Sequence, residues 1–107
     1  MRTFSFGGFT SGQVFQLGIV IPDADASIRF YAEALRIVPF TCMRGFKAPD
    51  GLYRGQTDMP ELTIAYTYTG RLFVEFIQQH DNTPSVYKEF IDNHGYGLHH
   101  LGIAVAP

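Results

Sequence analysis

The chain has 107 residues, of which 46% are hydrophobic and 17% are charged, and its net charge at pH 7 is −2. This length is typical of one domain, and this composition excludes a disordered chain, in which charged residues are abundant and apolar ones scarce. The 8 Lys and Arg residues form no cluster, which excludes a basic surface for nucleic acid or an anionic membrane. No apolar run reaches the roughly 18 residues of a membrane-spanning helix, so we expect a globular protein without a membrane partner.

Cys42 is the only cysteine, so the chain cannot form an intrachain disulfide. This is typical of a protein from a reducing compartment. Residues 1–12 are rich in Gly, Phe and hydroxyl residues, and they lack the basic start and continuous apolar run of an export signal. We therefore predict a cytoplasmic protein in which residues 1–12 form an irregular arm.

The next part of the chain predicts a strand followed by a helix. Residues 14–21 form a short apolar, β-branched run that stops at Pro22, which is typical of a buried strand. Asp23 is suited to cap a helix, because its carboxylate can accept hydrogen bonds from the free N–H groups of the first turn. We expect this helix to end near Arg36. Its predicted apolar face consists of Ala24, Ile28, Tyr31 and Leu35.

A second strand, a long loop and two further strands follow. Residues 38–44 predict a strand, and the Gly-, Pro- and Asp-rich residues 45–60 predict a loop of a length that is often functional. Residues 62–69 alternate large apolar side chains with small or hydroxyl ones. Residues 72–78 are mostly apolar, so both segments are predicted to be strands.

A tight turn between these last two strands would fix their register. If residues 69–70 form a two-residue hairpin turn, Ile64 lies opposite Glu75 and Tyr66 lies opposite Phe73 on one face of the sheet. The alternate residues of both strands would share the opposite face.

The end of the chain predicts a second helix and a last strand. Thr83 is expected to cap this helix, with Pro84 at its first position and Gly95 after its end. The last strand is predicted at residues 99–106. The order of strand, helix, three strands, helix and strand indicates an α+β fold with both helices packed on one face of the sheet.

A short internal repeat links the first and last predicted strands. Residues 16–21 (QLGIVI) recur as residues 100–105 (HLGIAV), with Leu, Gly and Ile identical. Such a match indicates a duplicated architecture whose second copy begins here. Because side chains alternate along a strand, each copy presents one polar side chain, Gln16 or His100, followed on the same face by a glycine. This arrangement would leave open space for a ligand.

Glu75 is the one carboxylate in an otherwise apolar or amide strand. A buried carboxylate is costly unless it is paired with a cation or bound to a metal. Together with Gln16 and His100 it would supply two oxygen ligands and one imidazole, a set suited to Mn, Co, Ni, Fe or Zn, with positions left open for a substrate. His99 is expected to point to the opposite face, so that only His100 would ligate. In the alternative interpretation, Glu75 faces solvent and the other two cap strand ends.

Three stretches of the sequence resemble glyoxalase-like domains of the vicinal oxygen chelate superfamily, in particular the methylmalonyl-CoA epimerase group. They are QLGIVIPDADASIRFYAEAL, TIAYTYTGRLFVEFIQQHDNTPSVYKEFI and GYGLHHLGIAV. The resemblance covers residues 13–106 and is weakest across residues 45–60. It implies a βαβββ module at residues 13–80 that forms a cupped mixed sheet. A connecting helix at residues 81–98 and the first strand of an incomplete second module at residues 99–107 would follow.

In this superfamily the first and fourth strands of each module carry the metal ligands. Carried over by position, the resemblance implies Gln16 from the first strand, where many relatives have His, and Glu75 from the fourth. It implies His100 from the first strand of the second module. A fourth ligand would belong to the last strand of that module, which this sequence does not contain.

The resemblance implies a metal-dependent lyase, isomerase or epimerase that acts on a small carbonyl or acyl substrate through an enolate-like intermediate, with Glu75 as a catalytic residue. The epimerases also carry a carboxylate base on the third strand, where this sequence has Ile64, so the general base is not identified. One alternative is a non-catalytic small-molecule binding module with an aromatic cup of Phe40, Tyr66 and Phe73. Another is an inactive fragment of a two-module protein.

The last predicted strand also indicates that the protein associates with another chain. Residues 99–106 alone would be an unpaired apolar edge, which favours association with another chain. We therefore expect a homodimer, either strand-swapped through these residues or paired module to module, in which Gln16 and Glu75 of one chain meet His100 of either chain.

Overall fold

The computed structural model describes residues 5–6, 9–36 and 39–105. Its elements are β1 (Ser5–Phe6), β2 (Phe9–Thr10), β3 (Val14–Val20), α1 (Ala24–Leu35), β4 (Thr41–Phe46), β5 (Leu62–Thr69), β6 (Leu72–Gln79), α2 (Val86–His94) and β7 (Gly97–Ile103). Strands β3 to β7 form one sheet in the order β4-β5-β6-β3-β7, in which the β6–β3 pair is parallel and the other pairs are antiparallel. This confirms the predicted α+β class and the mixed sheet of a βαβββ module. Within the described ranges, no helix is long and apolar enough to cross a membrane.

Most predicted strands lie close to their expected positions. β5 spans the predicted residues, and β6 extends one residue further. β4 is shifted towards the loop, and its predicted start at Val38 lies outside the described residues. β7 starts and ends earlier than predicted, and the predicted end at Ala106 also lies outside the described residues. The arm predicted to be irregular contains the short antiparallel ladder of β1 and β2.

Helix α1 begins where the sequence predicts. The Asp23 side chain accepts a hydrogen bond from the Ala26 N–H at 3.0 Å, which confirms the predicted N-cap. The helix ends at Leu35 and is capped by Arg36, which has a left-handed φ of 55° and whose N–H donates to the Tyr31 carbonyl. Leu35, which was predicted on the apolar face, is 53% exposed and does not belong to the core.

Helix α2 is capped by Ser85, whereas the sequence predicted Thr83. The Ser85 hydroxyl accepts from the Lys88 N–H at 3.0 Å and donates to Gln79 Oε1 at 2.6 Å, and the residue is buried. The Thr83 N–H instead donates to the Asp81 carboxylate at 3.1 Å in the preceding turn. The two candidate caps are two residues apart and both contact Gln79 of β6, but it is the Ser85 side chain that accepts a hydrogen bond from the first turn of α2.

The β5–β6 hairpin has a different turn from the predicted one. Thr69 pairs with Leu72, so the turn consists of the two residues between them. Gly70 has the positive φ of 62° that the first central position of a type II′ turn requires. Tyr66 consequently lies opposite Glu75, two residues from the predicted register. Because the shift is two residues, each side chain remains on its predicted face.

The two helices pack on opposite faces of the sheet, so the predicted single helical face is wrong. On one face, Ala65, Val74 and Phe76 are buried against Ile28 and Tyr31 of α1. We call this the α1 face.

The other face carries Glu75, and we call it the site face. Here Tyr87, Phe90 and Ile91 of α2 pack on a buried cluster that includes Val20 and Ile77. Helix α2 packs on this side because its apolar stripe fits the cluster. Sequence periodicity alone does not determine which face of a sheet a helix covers.

Strand β7 pairs with β3 of its own chain, so the expectation that it lacks a partner within the chain is wrong. The antiparallel ladder runs from the Val14–Ile103 pair to the Val20–Gly97 pair and contains two register irregularities. Among the strands that the described residues form, β7 lies last in the sheet, so its outer side forms an edge.

Candidate functional site

The two copies of the sequence repeat lie side by side as β3 and β7. In their ladder Gln16 lies opposite Gly102, and His100 lies opposite Gly18, so an approximate twofold axis relates the strands. Each polar side chain covers the glycine across from it. A Cβ atom on Gly18 would overlap the His100 imidazole, and one on Gly102 would lie 2.6 Å from Gln16 Cβ. The open space predicted beside each polar group is therefore filled by the polar group of the other copy.

Gly18 also brings Glu75 and His100 together. It lies between them in the sheet, paired with His100 on β7 and with Glu75 on β6. Because Gly18 has no side chain, the imidazole lies over it, and His100 Nε2 is 3.8 Å from Glu75 Oε1. The two side chains are 33% and 19% exposed, respectively, so the pair is partly shielded from water.

His99 and His100 lie next to each other, although strict alternation predicts opposite faces. The β3–β7 register shifts between Gly18 and Ile19, so that His99 is an extra, bulged residue on β7. Its ring packs against Tyr87 on the site face, with centroids 5.1 Å apart. The prediction that His99 points to the opposite face is therefore wrong.

Hydrogen bonds assign the tautomers of the two neutral histidine rings. His99 Nε2 lies 3.3 Å from the Val86 carbonyl, which can only accept, so Nε2 carries the proton and Nδ1 a lone pair. His100 Nδ1 then donates to His99 Nδ1 at 2.9 Å. This leaves His100 Nε2, the atom nearer Glu75, without a proton. A histidine held through its other ring nitrogen is typical of metal-binding imidazoles.

Burial disfavours the charged forms of both members of the pair. It raises the pKa of the Glu75 carboxyl above its ordinary 4.5 and lowers the pKa of the His100 imidazole below its ordinary 6.5. The distance of 3.8 Å alone would suggest an ion pair. Because burial shifts both pKa values in the direction that favours the neutral forms, an ion pair is not the best description. The two groups instead present partly desolvated lone pairs that a bound cation would stabilise.

Gln16 lies on the site face two residues before Gly18, with its side chain over Gly102. The structure thus joins two of the three predicted ligands, Glu75 and His100, and places the third further along the same ladder. In the part of the chain that is described, no three His, Cys, Asp or Glu side chains come together as a group that could hold a metal ion. A site built on the pair therefore needs Gln16 or donors from another chain.

Two of the three predicted aromatic residues share the site face. The rings of Tyr66 and Phe73 have centroids 5.2 Å apart, and Tyr68 packs on Phe73 at 5.1 Å. Phe40 instead stacks on Phe76 at 5.5 Å on the α1 face. The predicted cup thus lacks Phe40, because the sequence does not state on which side of the sheet the segment before β4 lies.

Tyr87 is a site-face residue that the sequence did not identify as a functional candidate. Burial raises the pKa of its phenol, and the negative charge of Glu75 adds to the shift. In the sequence it belongs only to the apolar stripe of α2. Its place beside the histidines depends on that helix packing on the site face.

Residues 15–106 match the family model of the glyoxalase/bleomycin resistance protein/dioxygenase superfamily. Since this match covers most of the chain, the protein belongs to that superfamily. This confirms the resemblance that the sequence indicated. No match was found among curated proteins.

Several solved structures share the fold. A hypothetical protein from Bacillus halodurans C-125 matches with a TM-score of 0.63 and 21% identity, over 91% of this chain and 61% of that chain. Methylmalonyl-CoA epimerase from Mycobacterium tuberculosis matches with a TM-score of 0.56 and 19% identity, over 90% and 56%. A Streptomyces coelicolor methylmalonyl-CoA epimerase variant in complex with 2-nitronate-propionyl-CoA matches with a TM-score of 0.56 and 16% identity, over 91% and 62%. This chain thus spans about three-fifths of the length of these structures.

Proposed function

We propose that this protein is a divalent-metal-dependent lyase, isomerase or epimerase that acts on a small carbonyl or acyl substrate through an enolate-like intermediate. The observation that carries the proposal is the Glu75–His100 pair, in which a carboxylate and an imidazole, both types of side chain that can bind metals, approach to 3.8 Å across a glycine. Membership of the superfamily and the fold shared with epimerases support the same chemistry.

The ligand atoms of the pair lie within reach of one shared divalent cation. Two donors that each lie about 2.1 Å from an ion are at most about 4.2 Å apart, so the observed 3.8 Å is compatible with a shared ion. An unprotonated imidazole nitrogen and a carboxylate oxygen are ligand types that Mn, Co, Ni, Fe and Zn accept. Gln16 would supply a third ligand, an amide oxygen.

The bound cation would act as a Lewis acid that polarises substrate carbonyl oxygens. Residues of this chain would form the binding site for the cation. Gly18 leaves room for the imidazole, His99 fixes the tautomer of His100, and Glu75 contributes the negative charge. We assign Glu75 as a catalytic residue because it would contact the cofactor, and His99 as a positioning residue. Strand β5, where the epimerases carry a base, has no carboxylate, so proton transfer is assigned to no residue of this chain.

Acyl thioesters of coenzyme A are the first substrates to test. Two epimerase structures that share the fold contain 2-nitronate-propionyl-CoA and methylmalonyl-CoA, respectively. In this chain Tyr66, Tyr68 and Phe73 provide an aromatic surface on the same face as the pair, against which an acyl group would pack.

We further propose that a homodimer completes the site. Among the described strands, β7 lies at one end of the sheet and its outer side forms an edge. Leu98, Leu101 and Ile103 on β7 are each about half exposed, at 53%, 49% and 52%. Because β7 pairs within its own chain, we assign the dimer contact to this outer edge and not to exchanged strands.

Metal titration of the purified chain tests the proposed site. After treatment with EDTA and desalting, the protein is titrated by calorimetry with Mn²⁺, Co²⁺, Ni²⁺, Zn²⁺ and, without oxygen, Fe²⁺. We expect one ion per chain. Glu75→Gln and His100→Gln should weaken binding by about 100-fold or more, because even groups outside the ligand shell contribute about 10–100-fold. Gly18→Ala should also weaken binding, since it displaces the imidazole without removing a donor.

Matched controls are Glu33→Gln and His94→Gln, which change the same residue types at exposed positions of α1 and α2. Both should bind like the wild type. The proposal is wrong if the wild type binds none of these ions stoichiometrically, or if Glu75→Gln binds them as tightly as the wild type. NMR in D₂O then measures, for the metal-loaded protein, how fast the hydrogens on the carbon next to the thioester carbonyl of propionyl-CoA exchange with solvent.

A non-catalytic small-molecule binding module is the second candidate, and the packed rings of Tyr66, Tyr68 and Phe73 favour it. This alternative predicts saturable binding of acyl or aromatic compounds in EDTA, weakened in Phe73→Ala. It also predicts no hydrogen exchange with any metal. Binding that requires metal would exclude it.

A further inference from the structure

An apolar cavity of about 180 Å³ lies between the loop after β4, strand β5 and the beginning of α2. Leu62 and Ile64 of β5 form its floor and are buried at 4% and 7% exposure. Phe46, Met59 and Tyr87 contribute to its walls. We call this cavity the loop pocket. The proposed metal chemistry does not use this loop, although loops of such a length are often functional or mobile.

The loop is fastened to α2 by three side chains. The Tyr53 hydroxyl donates to Glu89 Oε2 at 2.5 Å, and Arg54 Nη2 lies 2.6 Å from Glu89 Oε1. Arg54 and Gly55 have φ values of 47° and 80° and lie between Tyr53 and Gln56, whose backbones bond to each other, as in a type I′ turn. This turn presents Tyr53 and Arg54 to Glu89, and we call these three residues the latch.

The loop is closely packed where two residues of the pocket lining, Gly51 and Met59, meet. A Cβ atom on Gly51 would overlap the Met59 side chain, so the loop has no spare room at that point. An empty apolar cavity lowers the stability of a protein in proportion to its volume. The apolar lining of the loop pocket includes the exposed side chains of Leu52 and Val86, and a ligand group that covers this lining explains it better than open solvent does.

We infer that the loop pocket binds a small hydrocarbon group, of the size of a phenyl ring or a branched six-carbon chain, beneath the latched loop. Apolar cavities of about 150 Å³ stay dry and bind benzene, so 180 Å³ is sufficient for such a group. The lining is mostly apolar, which excludes a charged or strongly hydrated occupant.

The position of the loop pocket favours the hydrocarbon part of a substrate as its natural occupant. Tyr87 lines the pocket and also packs against His99, which is hydrogen-bonded to His100. A molecule whose oxygen atoms lay at the Glu75–His100 pair would therefore have its apolar part next to this pocket. This assignment of the occupant rests on the proposed function, whereas binding of a hydrocarbon group in the pocket does not.

Methyl NMR of the full chain in EDTA tests the inference, with toluene as the probe. We expect saturable shifts of the Leu62, Ile64 and Met59 methyl signals, with a dissociation constant of about 1 mM or less for so small an apolar ligand. The methyl signals of Ile28 and Val74 on the α1 face should not move, and they also report whether each variant is folded.

One matched pair of variants locates the binding. Ala48→Phe fills the pocket from its rim and should weaken toluene binding at least about tenfold, whereas Ala34→Phe, exposed on α1, should not change it. If Ala48→Phe does not fold, Val86→Phe, also at the rim and 51% exposed, replaces it.

Two variants of helix α2 test the latch. Glu89→Gln should speed toluene exchange several-fold, because it weakens the contacts that hold the loop closed. The control, Asp92→Asn, breaks the Lys88–Asp92 ion pair without touching the loop and should exchange like the wild type.

Absence of a saturable toluene shift in the folded wild type would overturn the inference, as would equal binding by the wild type and the filled variant. Equal exchange by Glu89→Gln and the wild type would overturn the role of the latch. Because the measurement is made without metal, its failure is distinguishable from failure of the metal titration.

Discussion

Because Gly18 has no side chain, the potential metal-binding atoms of His100 and Glu75 can approach each other. The His100 imidazole lies where a Cβ atom would be, and it thereby approaches Glu75 from the far side of β3. The sequence contains this information only in part, because it shows a polar residue and a glycine in each copy of the repeat. Which polar group fills the space at which glycine depends on the antiparallel pairing of the two copies.

The partial burial of Glu75 has a measurable consequence in the metal-free protein. Its pKa is raised from 4.5 by burial, so the folded state holds more protons than the unfolded state between pH 4.5 and the raised value. Stability therefore falls as pH rises through this window. Glu75→Gln should stabilise the metal-free protein at about pH 7.5 by about 1 kcal/mol, or about 4–8 °C in melting temperature.

Thermal unfolding in EDTA measures this effect. At about pH 3.5 the difference should vanish, because the carboxyl is protonated in both states. With saturating metal the wild type should become the more stable protein, since ligand binding to the folded state stabilises it. A variant less stable than the wild type in EDTA at neutral pH would contradict this account of Glu75.

At the scale of elements, the strands were predicted better than their surroundings. The alternation of β5 defined its ends, and the Asp23 cap defined the start of α1, because both signals are local. The β5–β6 register, the side of the sheet that Phe40 occupies and the bulge at His99 could not be predicted. Each of these depends on which distant segments pair, and no local pattern contains that information.

The cap of α2 provides a test at this scale. Ser85→Ala removes a buried hydroxyl that accepts from Lys88 and donates to Gln79, so we expect a loss of about 1–2 kcal/mol in unfolding free energy. Thr83→Ala, at the position that the sequence predicted, should cost about 0.5 kcal/mol or less. Urea denaturation of both variants compares the two positions, and the reverse order of losses would contradict the assigned cap.

At the scale of the whole molecule, one βαβββ module is extended by a strand that repeats its first strand. The approximate twofold relation between β3 and β7 places Gln16 and His100 in equivalent positions on the site face. β3 has a further partner, β6, which carries Glu75, whereas β7 forms an edge. Because β3 has a neighbouring strand with a carboxylate and β7 does not, we propose that metal-binding groups from a second copy of the chain complete the site.

The proposed dimer predicts a mutation-sensitive molecular mass. Multi-angle light scattering of the wild type should give a dimer, and Leu101→Lys with Ile103→Lys should give a monomer, because the charges oppose burial of the β7 edge. Phe30→Lys, which changes an exposed apolar residue of α1, is the matched control and should remain dimeric. A wild type that is monomeric at every concentration would contradict the dimer.

The most direct test of the central claim is X-ray diffraction from crystals of this protein grown with Co²⁺ or Zn²⁺, recorded at the absorption edge of the metal. We predict an anomalous peak within about 2.2 Å of both Glu75 and His100 Nε2. A well-ordered pair without such a peak, or a metal bound only at other residues, would contradict the account.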